Sequence, residues 1–487
     1  LLDRDVEGLD PHTSGQVRET QSVLSNLYEG LVTFDAEMSL QPGLAVSWTN
    51  PDDLTLDLRI RPDVRFQTGD PLTADDVVFS LERARTHPRS VLRAALANVA
   101  GVTASGSGRV RITTRTPDAS LLPRLRQVFV ASRRFVEARG ESAFASASAG
   151  TGAYRLVARE AGATIDLDRF DGYWRGPARF AHARFVVKSA PDSFASPLVP
   201  AGARVVFSVP AGSPEYVKAA STAVPHHHPG LAILYLGFDL RDRTPPGLLG
   251  TAPGRNPFLA LPVREAIARA IDLSALREKV AGGHGAVPSQ LVPRSILGFD
   301  PTVRPPRAST EEARALLSTT PFASGFGVTL DVRRFRSDVS AFLGSALAPI
   351  GLRLEPRVRE DRDFFQHLSS GASALFVLRF FCWTGDAQEL LDDVVHSRDE
   401  SRGLGEFNFS YEKSPIAGLD EEIEACRREL VPEVRLRKLQ AAMHRVMDAR
   451  LVLPLLEDES VLFAPPDVSV TPRADSFVLA WEVGVMQ

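Results

Sequence analysis

A chain of 487 residues is longer than one hydrophobic core usually supports, which points to two or three domains and to a cleft between lobes. With 44% hydrophobic and 24% charged residues it has the composition of a soluble globular protein, which excludes a disordered or membrane-embedded chain. The formal net charge of −4, with basic residues interspersed among acids, supplies no field for a phosphate backbone, so no nucleic-acid partner is expected.

No apolar run reaches the roughly 20 residues needed to cross a bilayer. The nearest, 372–383, is interrupted by Arg379. The sequence starts at Leu1 with no basic and apolar leader ahead of its first acids, so an export signal or lipid anchor is expected to have been removed from it.

In chain order, Leu54, Leu56, Leu58 and Ile60 alternate with polar residues, the period of a strand with one buried face. Thr73 stands three residues ahead of Asp76 and before Val77, Val78 and Leu81, so a capped amphipathic helix should run to about Arg85. Val110 with Ile112, and Ile165 with Leu167, repeat the strand signal, while 141–152 is rich in Gly, Ser and Ala and reads as a loop. The apolar run 231–239 predicts a strand buried on both faces.

Beyond it, 244–257 reads as a long Pro- and Gly-rich loop. Pro262 opens a helix with Val263, Ala266, Ile267, Ala270 and Ile271 on one face, and Ser309 with Glu312 caps another. A strand at 328–332, a helix at 338–348 and a buried strand at 375–381 imply α/β layering. Ile416, Leu419, Ile423, Cys426 and Leu430, then Leu436, Leu439, Met443 and Val446, are spaced for two packed helices. Pro465 and Pro466 precede short strands between 468 and 485.

The chain carries no Gly-x-Ser-x-Gly elbow, phosphate-cradling Gly-x-x-x-x-Gly-Lys, His-Glu-x-x-His or Gly-x-Gly-x-x-Gly turn, so binding is expected rather than catalysis, with no cofactor. His226, His227 and His228 are metal-ligand types in contiguous positions. In extended chain only His226 and His228 share a face, a two-ligand arrangement beside Pro229, so a surface loop and no metal site are expected. Cys382 and Cys426 match no metal or redox spacing; Cys426 reads as a buried thiol on a helix, with a disulfide to Cys382 as the alternative.

Eight blocks then combine. They are Asn26-Leu-Tyr-Glu-Gly-Leu-Val32, Pro42-Gly-Leu-Ala-Val-Ser-Trp48, 54–66 and Gly69-Asp-Pro-Leu-Thr-Ala-Asp-Asp-Val-Val-Phe-Ser80, followed by Gly150-Thr-Gly-Ala-Tyr-Arg155, Phe170-Asp-Gly-Tyr-Trp174, Leu236-Gly-Phe-Asp239 and Val263-Arg-Glu-Ala-Ile-Ala-Arg-Ala-Ile-Asp272. Along nearly the whole chain they resemble the family 5 extracellular solute-binding proteins, the peptide, nickel and oligosaccharide receptors of bacterial ABC importers.

The resemblance implies an α/β, two-lobed periplasmic-binding-protein fold. Its first lobe would comprise a sheet domain (1–33, 150–237 and 465–487) and an inserted domain (34–149), and its second lobe 238–464. Two crossover strands, near 236–239 and 462–466, would permit hinge closure. It also implies a monomer that is periplasmic or extracytoplasmic and membrane-associated, and that delivers a small-molecule or short-peptide ligand to ABC permease and ATPase subunits. A short peptide or peptide-like zwitterion is the expected cargo; an oligosaccharide, opine-like compound or metal chelate on the same fold is the alternative, and an enzyme or sensor on this scaffold a third.

For the site, Trp383-Thr384-Gly385-Asp386 looks like the family's loop in which an Asp pairs with a peptide's amino terminus. Counting back from His396-Ser397 assigns that role to Asp386, although Ala387 and Glu389 stand where the family's usual Pro and Asn would be. Trp383 would wall the pocket. Arg333 and Arg334, with Arg336 competing, stand where peptide-binding relatives carry an Arg for the ligand carboxylate, a task suited to a planar fork.

Overall fold

The computed structural model describes residues 1–487 apart from 3, 16, 107, 188–203, 205, 209–213, 251–254 and 487. Packing divides the chain into two units, Leu1–His228 with Ser460–Gln487, and Pro229–Glu459. The divisions expected from sequence stand at 237/238 and 464/465. Both passages of the chain from unit to unit occur within long strands, Val224–Phe238 and Val452–Ala464.

Unit 1 holds a four-stranded and a three-stranded sheet, beside two small two-stranded ones. The alternating 54–60 segment forms Thr55–Ile60 in a four-stranded antiparallel sheet, ordered Ala45–Asp52, Thr55–Ile60, Arg109–Thr114, Val99–Ala104. Leu56, Leu58, Val110 and Ile112 point into one core together with Val77 and Leu81 of the helix Ala74–Thr86. That helix starts as its sequence predicts, for the Asp76 carboxylate accepts the Thr73 backbone N–H at 3.0 Å. The second sheet, Tyr154–Glu160, Thr164–Arg169 and His182–Val186, shares a separate core with Leu24, Leu27 and Phe144.

Unit 2 is built on a mixed sheet. β1 (Val224–Phe238) is buried throughout from Gly230 to Phe238, as the apolar run requires. β2 (Phe326–Arg333) leads through α1 (Ser337–Leu347) to β3 (Leu352–Arg359), and then through α2 (Asp361–Ser369) to β4 (Leu375–Phe381). Farther on, α3 (Leu419–Arg428) packs on α4 (Pro432–Asp448), and β5 (Val452–Ala464) closes the set. The sheet order is β5, β1, β4, β2, β3.

Several expectations are corrected. His226, His227 and His228 lie in β1, not in a loop; His226 and His228 are partly buried and His227 is exposed, the alternation of a pleated strand. Both cysteines are buried free thiols, so the disulfide alternative falls. Burial pushes the Cys426 thiol up to about 12. Within 244–257, Leu248–Leu249 pairs with Val328 and Gly327 as a short strand, while 251–254 lie outside the described residues.

β3 went unread in sequence, and β5 was read only at its carboxyl end, where a crossover strand was expected near 462–466. β3 is an edge strand, where Pro356 removes no needed ladder bond. β5 is interrupted in hydropathy by Pro454 and by Glu457, Asp458 and Glu459, which are met by tertiary partners: Glu457 by Arg294, Asp458 by Arg379, and Glu459 through a 3.0 Å hydrogen bond with His284.

Candidate functional site

The path of the chain through unit 2 singles out one end of its sheet. β2 is parallel both to β3, from Phe326↔Leu352 to Arg333↔Arg359, and to β4, at Leu330↔Leu375 and Asp331↔Phe376. The chain leaves β2 on one side and returns across it to the other. Connections that diverge to opposite sides in this way make a topological switch point, the place where open α/β sheets generally bind ligands beyond the strands' carboxyl ends. The β2–β4 ladder has only two residue pairs, so β2 and β4 are not paired with each other toward those ends.

β4 supplies an aromatic stripe to this edge. Phe376, Leu378 and Phe380 face the core, and the opposite face carries Arg379, Phe381 and then Trp383, all partly exposed. The Trp383 and Phe381 rings stack with centroids 4.8 Å apart and planes 8° apart, and the Arg379 guanidinium lies 4.2 Å from the Phe381 ring centre. Arg379 is also paired with Asp458 of β5.

The turn after β4 is closed by its own side chains. The Thr384 N–H and hydroxyl both donate to Glu389 Oε2 at 2.8 Å. Gly385 holds φ +68°, a left-handed conformation that favours glycine, and its carbonyl accepts the Leu297 N–H at 2.9 Å. Asp386, 2% exposed, accepts the Gln388 N–H at 2.9 Å and so caps the helix Ala387–Leu390. Both of its oxygens are held by Arg435 from the first turn of α4, at 2.7 and 3.0 Å. The Asp386 carboxylate, assigned by resemblance to a ligand ammonium, is thus neutralised from within the chain by a buried bidentate pair.

The three arginines after β2 differ in the same way. Arg333 meets Asp361 at 2.8 Å, and Arg334, whose side chain is 74% exposed, meets Glu360; both acids follow the carboxyl end of the neighbouring β3. Arg336 pairs with no acid among the described residues. Its Nε and Nη2 are buried and have no hydrogen-bond partner among the described residues. A buried guanidinium without an acceptor costs free energy that a bound carboxylate would recover.

Unit 1 uses its recognisable blocks differently. Glu29 accepts from the Thr151 hydroxyl at 2.7 Å, the Tyr173 hydroxyl at 3.0 Å and the Trp174 indole N–H at 2.9 Å, so three separate sequence blocks converge on one carboxylate. Burial pushes that carboxyl above its ordinary range, against the pull of these donors. The glycines beside Thr151 permit the approach: a Cβ on Gly152 would lie 2.5 Å from the Asn26 carbonyl oxygen, and one on Gly150 would collide with that of Leu27.

The structure therefore brings Trp383, Thr384, Gly385 and Asp386 into one turn, and sets Arg333 and Arg334 at the carboxyl end of the adjacent strand. Sequence reasoning passed over Arg435, although the signal was present: it stands four residues before Leu439 and eight before Met443, a charge on an apolar stripe that requires a buried partner. Arg336 carries no such signal, because only the folded chain shows which neighbours lack acids.

A model of the bacterial extracellular solute-binding proteins, family 5 Middle, matches residues 39–402. The glutathione-binding protein GsiB of Escherichia coli O1:K1 / APEC is 26% identical over 355 residues, 71% of this chain and 66% of that protein, just under two thirds of its length. The periplasmic binding protein DppA from Helicobacter pylori, solved in complex with the peptide STSA, matches with a TM-score of 0.79 at 18% identity, over 99% of this chain and 97% of that one. The ABC transporter substrate-binding protein CtaP from Listeria monocytogenes matches with a TM-score of 0.85 at 17% identity, over 100% and 98%. At such identities the structures establish the fold, the α/β two-lobed architecture of periplasmic binding proteins. No helix among the described residues is long and apolar enough to cross a membrane. This chain belongs to the bacterial extracellular solute-binding proteins of family 5.

Proposed function

We propose that this protein is the extracytoplasmic receptor of an ABC importer, that it captures a short peptide or peptide-like zwitterion, and that it performs no chemistry on it. The single observation that carries the cargo assignment is Arg336, whose Nε and Nη2 are buried without an acceptor among the described residues, just beyond the carboxyl end of β2 and one strand from a partly exposed aromatic turn. In this reading Arg336 receives the ligand carboxylate, and Trp383 with the backbone of Thr384 and Gly385 lines the pocket. Asp386 acts through Arg435 as a positioning residue that fixes the turn. The names of GsiB and DppA, one binding glutathione and the other solved with a peptide, support a peptide cargo. The relatives are binding proteins, which supports a receptor rather than an enzyme.

The test is a thermal-shift screen of refolded, ligand-stripped protein against dipeptides to pentapeptides, reduced glutathione, oligosaccharides and opines. A ligand at 100 times its dissociation constant should stabilise the folded chain by about 2.7 kcal/mol, a clear rise in Tm. Peptides should raise it, and amidating their C-terminus should abolish most of the rise. A rise with oligosaccharides alone would overturn the peptide assignment.

A further inference from the structure

Unit 1 contains a second place where charge is not consumed internally. A cavity of about 630 Å³ lies among 33–36, Trp174, Arg175 and the C-terminal residues Arg473, Trp481 and Glu482. Its charged groups can be followed one at a time. Asp35 is used by its own turn, accepting the Glu37 and Ser39 backbone N–H groups at 3.1 and 2.8 Å and the Gln41 side chain at 2.9 Å. Arg473 is used by Asp475 at 3.0 Å, by the Phe34 carbonyl at 3.0 Å and by Glu482 at 3.2 Å. Glu482 thereby has its cation.

Arg175 is different. It is exposed, and its guanidinium makes no hydrogen bond and no ion pair among the described residues. It lies 4.5 Å from the Trp174 ring centre and 5.6 Å from that of Trp481. Stacking on indole faces holds a guanidinium by its plane and leaves its in-plane N–H donors available to a planar acid. Glu29 and Glu482 lie near enough to feel its charge, but their hydrogen bonds go elsewhere, those of Glu29 to Thr151, Tyr173 and Trp174 and that of Glu482 to Arg473.

We infer that this cavity of unit 1 is a site for a carboxylate, with Arg175 as its receptor and Trp174 and Trp481 as its walls, so that acidic peptides are preferred over neutral ones. The inference deepens the peptide reading above and rests on it. The two fail separately. Titration calorimetry would compare Glu-Ala-Ala, Ala-Glu-Ala and Ala-Ala-Glu with their Gln counterparts, on the full chain and on Arg175→Gln and Arg175→Lys.

A charge-assisted bidentate contact predicts that at least one Glu peptide binds the parent chain about tenfold to a hundredfold more tightly than its Gln counterpart. That preference should disappear in Arg175→Gln and survive only in part in Arg175→Lys, which keeps the charge and loses the fork. Equal affinity for Glu and Gln peptides, or a preference that survives Arg175→Gln, overturns the acidic subsite and leaves the peptide reading in place. Binding of none of the six, with no response to any peptide in the thermal screen, overturns both.

Discussion

The Glu29 hub of unit 1 and the carboxyl edge of unit 2 are both dense in polar side chains, yet they are organised in opposite ways. Around Glu29 every donor has an acceptor inside the chain, and the residues that meet there are the ones by which the family is recognised in sequence. At the edge beyond β2 and β4, Arg333 and Arg334 find acids, whereas Arg336 keeps two buried nitrogens without a partner among the described residues and Trp383 stays partly exposed. A satisfied network stabilises the folded chain by itself; an unsatisfied one is complete only with something added. Polarity alone therefore does not mark a binding site, and the difference lies in what is left over.

This contrast predicts that hub-like groups govern stability and edge groups govern binding. The pair Asp386–Arg435 tests it hardest, because it sits in the edge turn and is saturated like the hub. Asp386→Asn should lower the stability of the ligand-free protein by about 3–5 kcal/mol, read from urea midpoints, since it strands a buried guanidinium. A loss below about 1 kcal/mol would show the carboxylate to be free for a ligand after all.

The next effect depends on pH. His12 is fully buried, donates from Nε2 to the Phe129 carbonyl at 2.8 Å and faces Arg83 at 2.9 Å through Nδ1. Removal from water, with Arg83 beside it, lowers its pKa to about 4. Between about 6.5 and about 4 the unfolded chain takes up a proton that the folded chain refuses. The stability this residue carries is therefore whole above about 6.5 and is lost as the pH falls toward about 4, roughly 3 kcal/mol in all. His12→Gln should remove most of that component from the difference between unfolding midpoints at pH 7 and pH 4.5; an unaltered difference would mean that His12 is not enclosed as described.

Glu29→Gln leaves one acceptor oxygen for three donors and should cost about 1–3 kcal/mol in the ligand-free protein without altering which peptides it binds. A change in peptide preference would break the distinction between frame and edge. Arg336→Gln should behave inversely, weakening binding of peptides with a free C-terminus about tenfold to a hundredfold by calorimetry while leaving ligand-free Tm unchanged or raised. Trp383→Ala should give the smallest effect, a loss of affinity of about fivefold to tenfold from one missing aromatic wall.

Much of the frame was legible in one dimension. Thr73 and Asp76 cap their helix as read, the alternation at 54–60 became a strand, and 231–239 became a strand buried on both faces. These are local signals, set by the period of apolar residues and by groups three or four positions apart, so the chain carries them without reference to the rest of the fold. The family blocks were legible too, and with them the fold class.

The site divided differently. Sequence brought Trp383 to Asp386 together, because they are consecutive, and drew attention to three nearby arginines without ranking them. Only the tertiary structure decided which of them are already paired, because that depends on partners distant in sequence. Asp386 is matched by Arg435, forty-nine positions on, and Arg333 by Asp361, twenty-eight on, while no acid among the described residues reaches Arg336. The sequence by itself determined where strands, helices and the family's turn would form; which charges remain unpaired is a sum over long-range neighbours, and that sum exists only once the chain has folded.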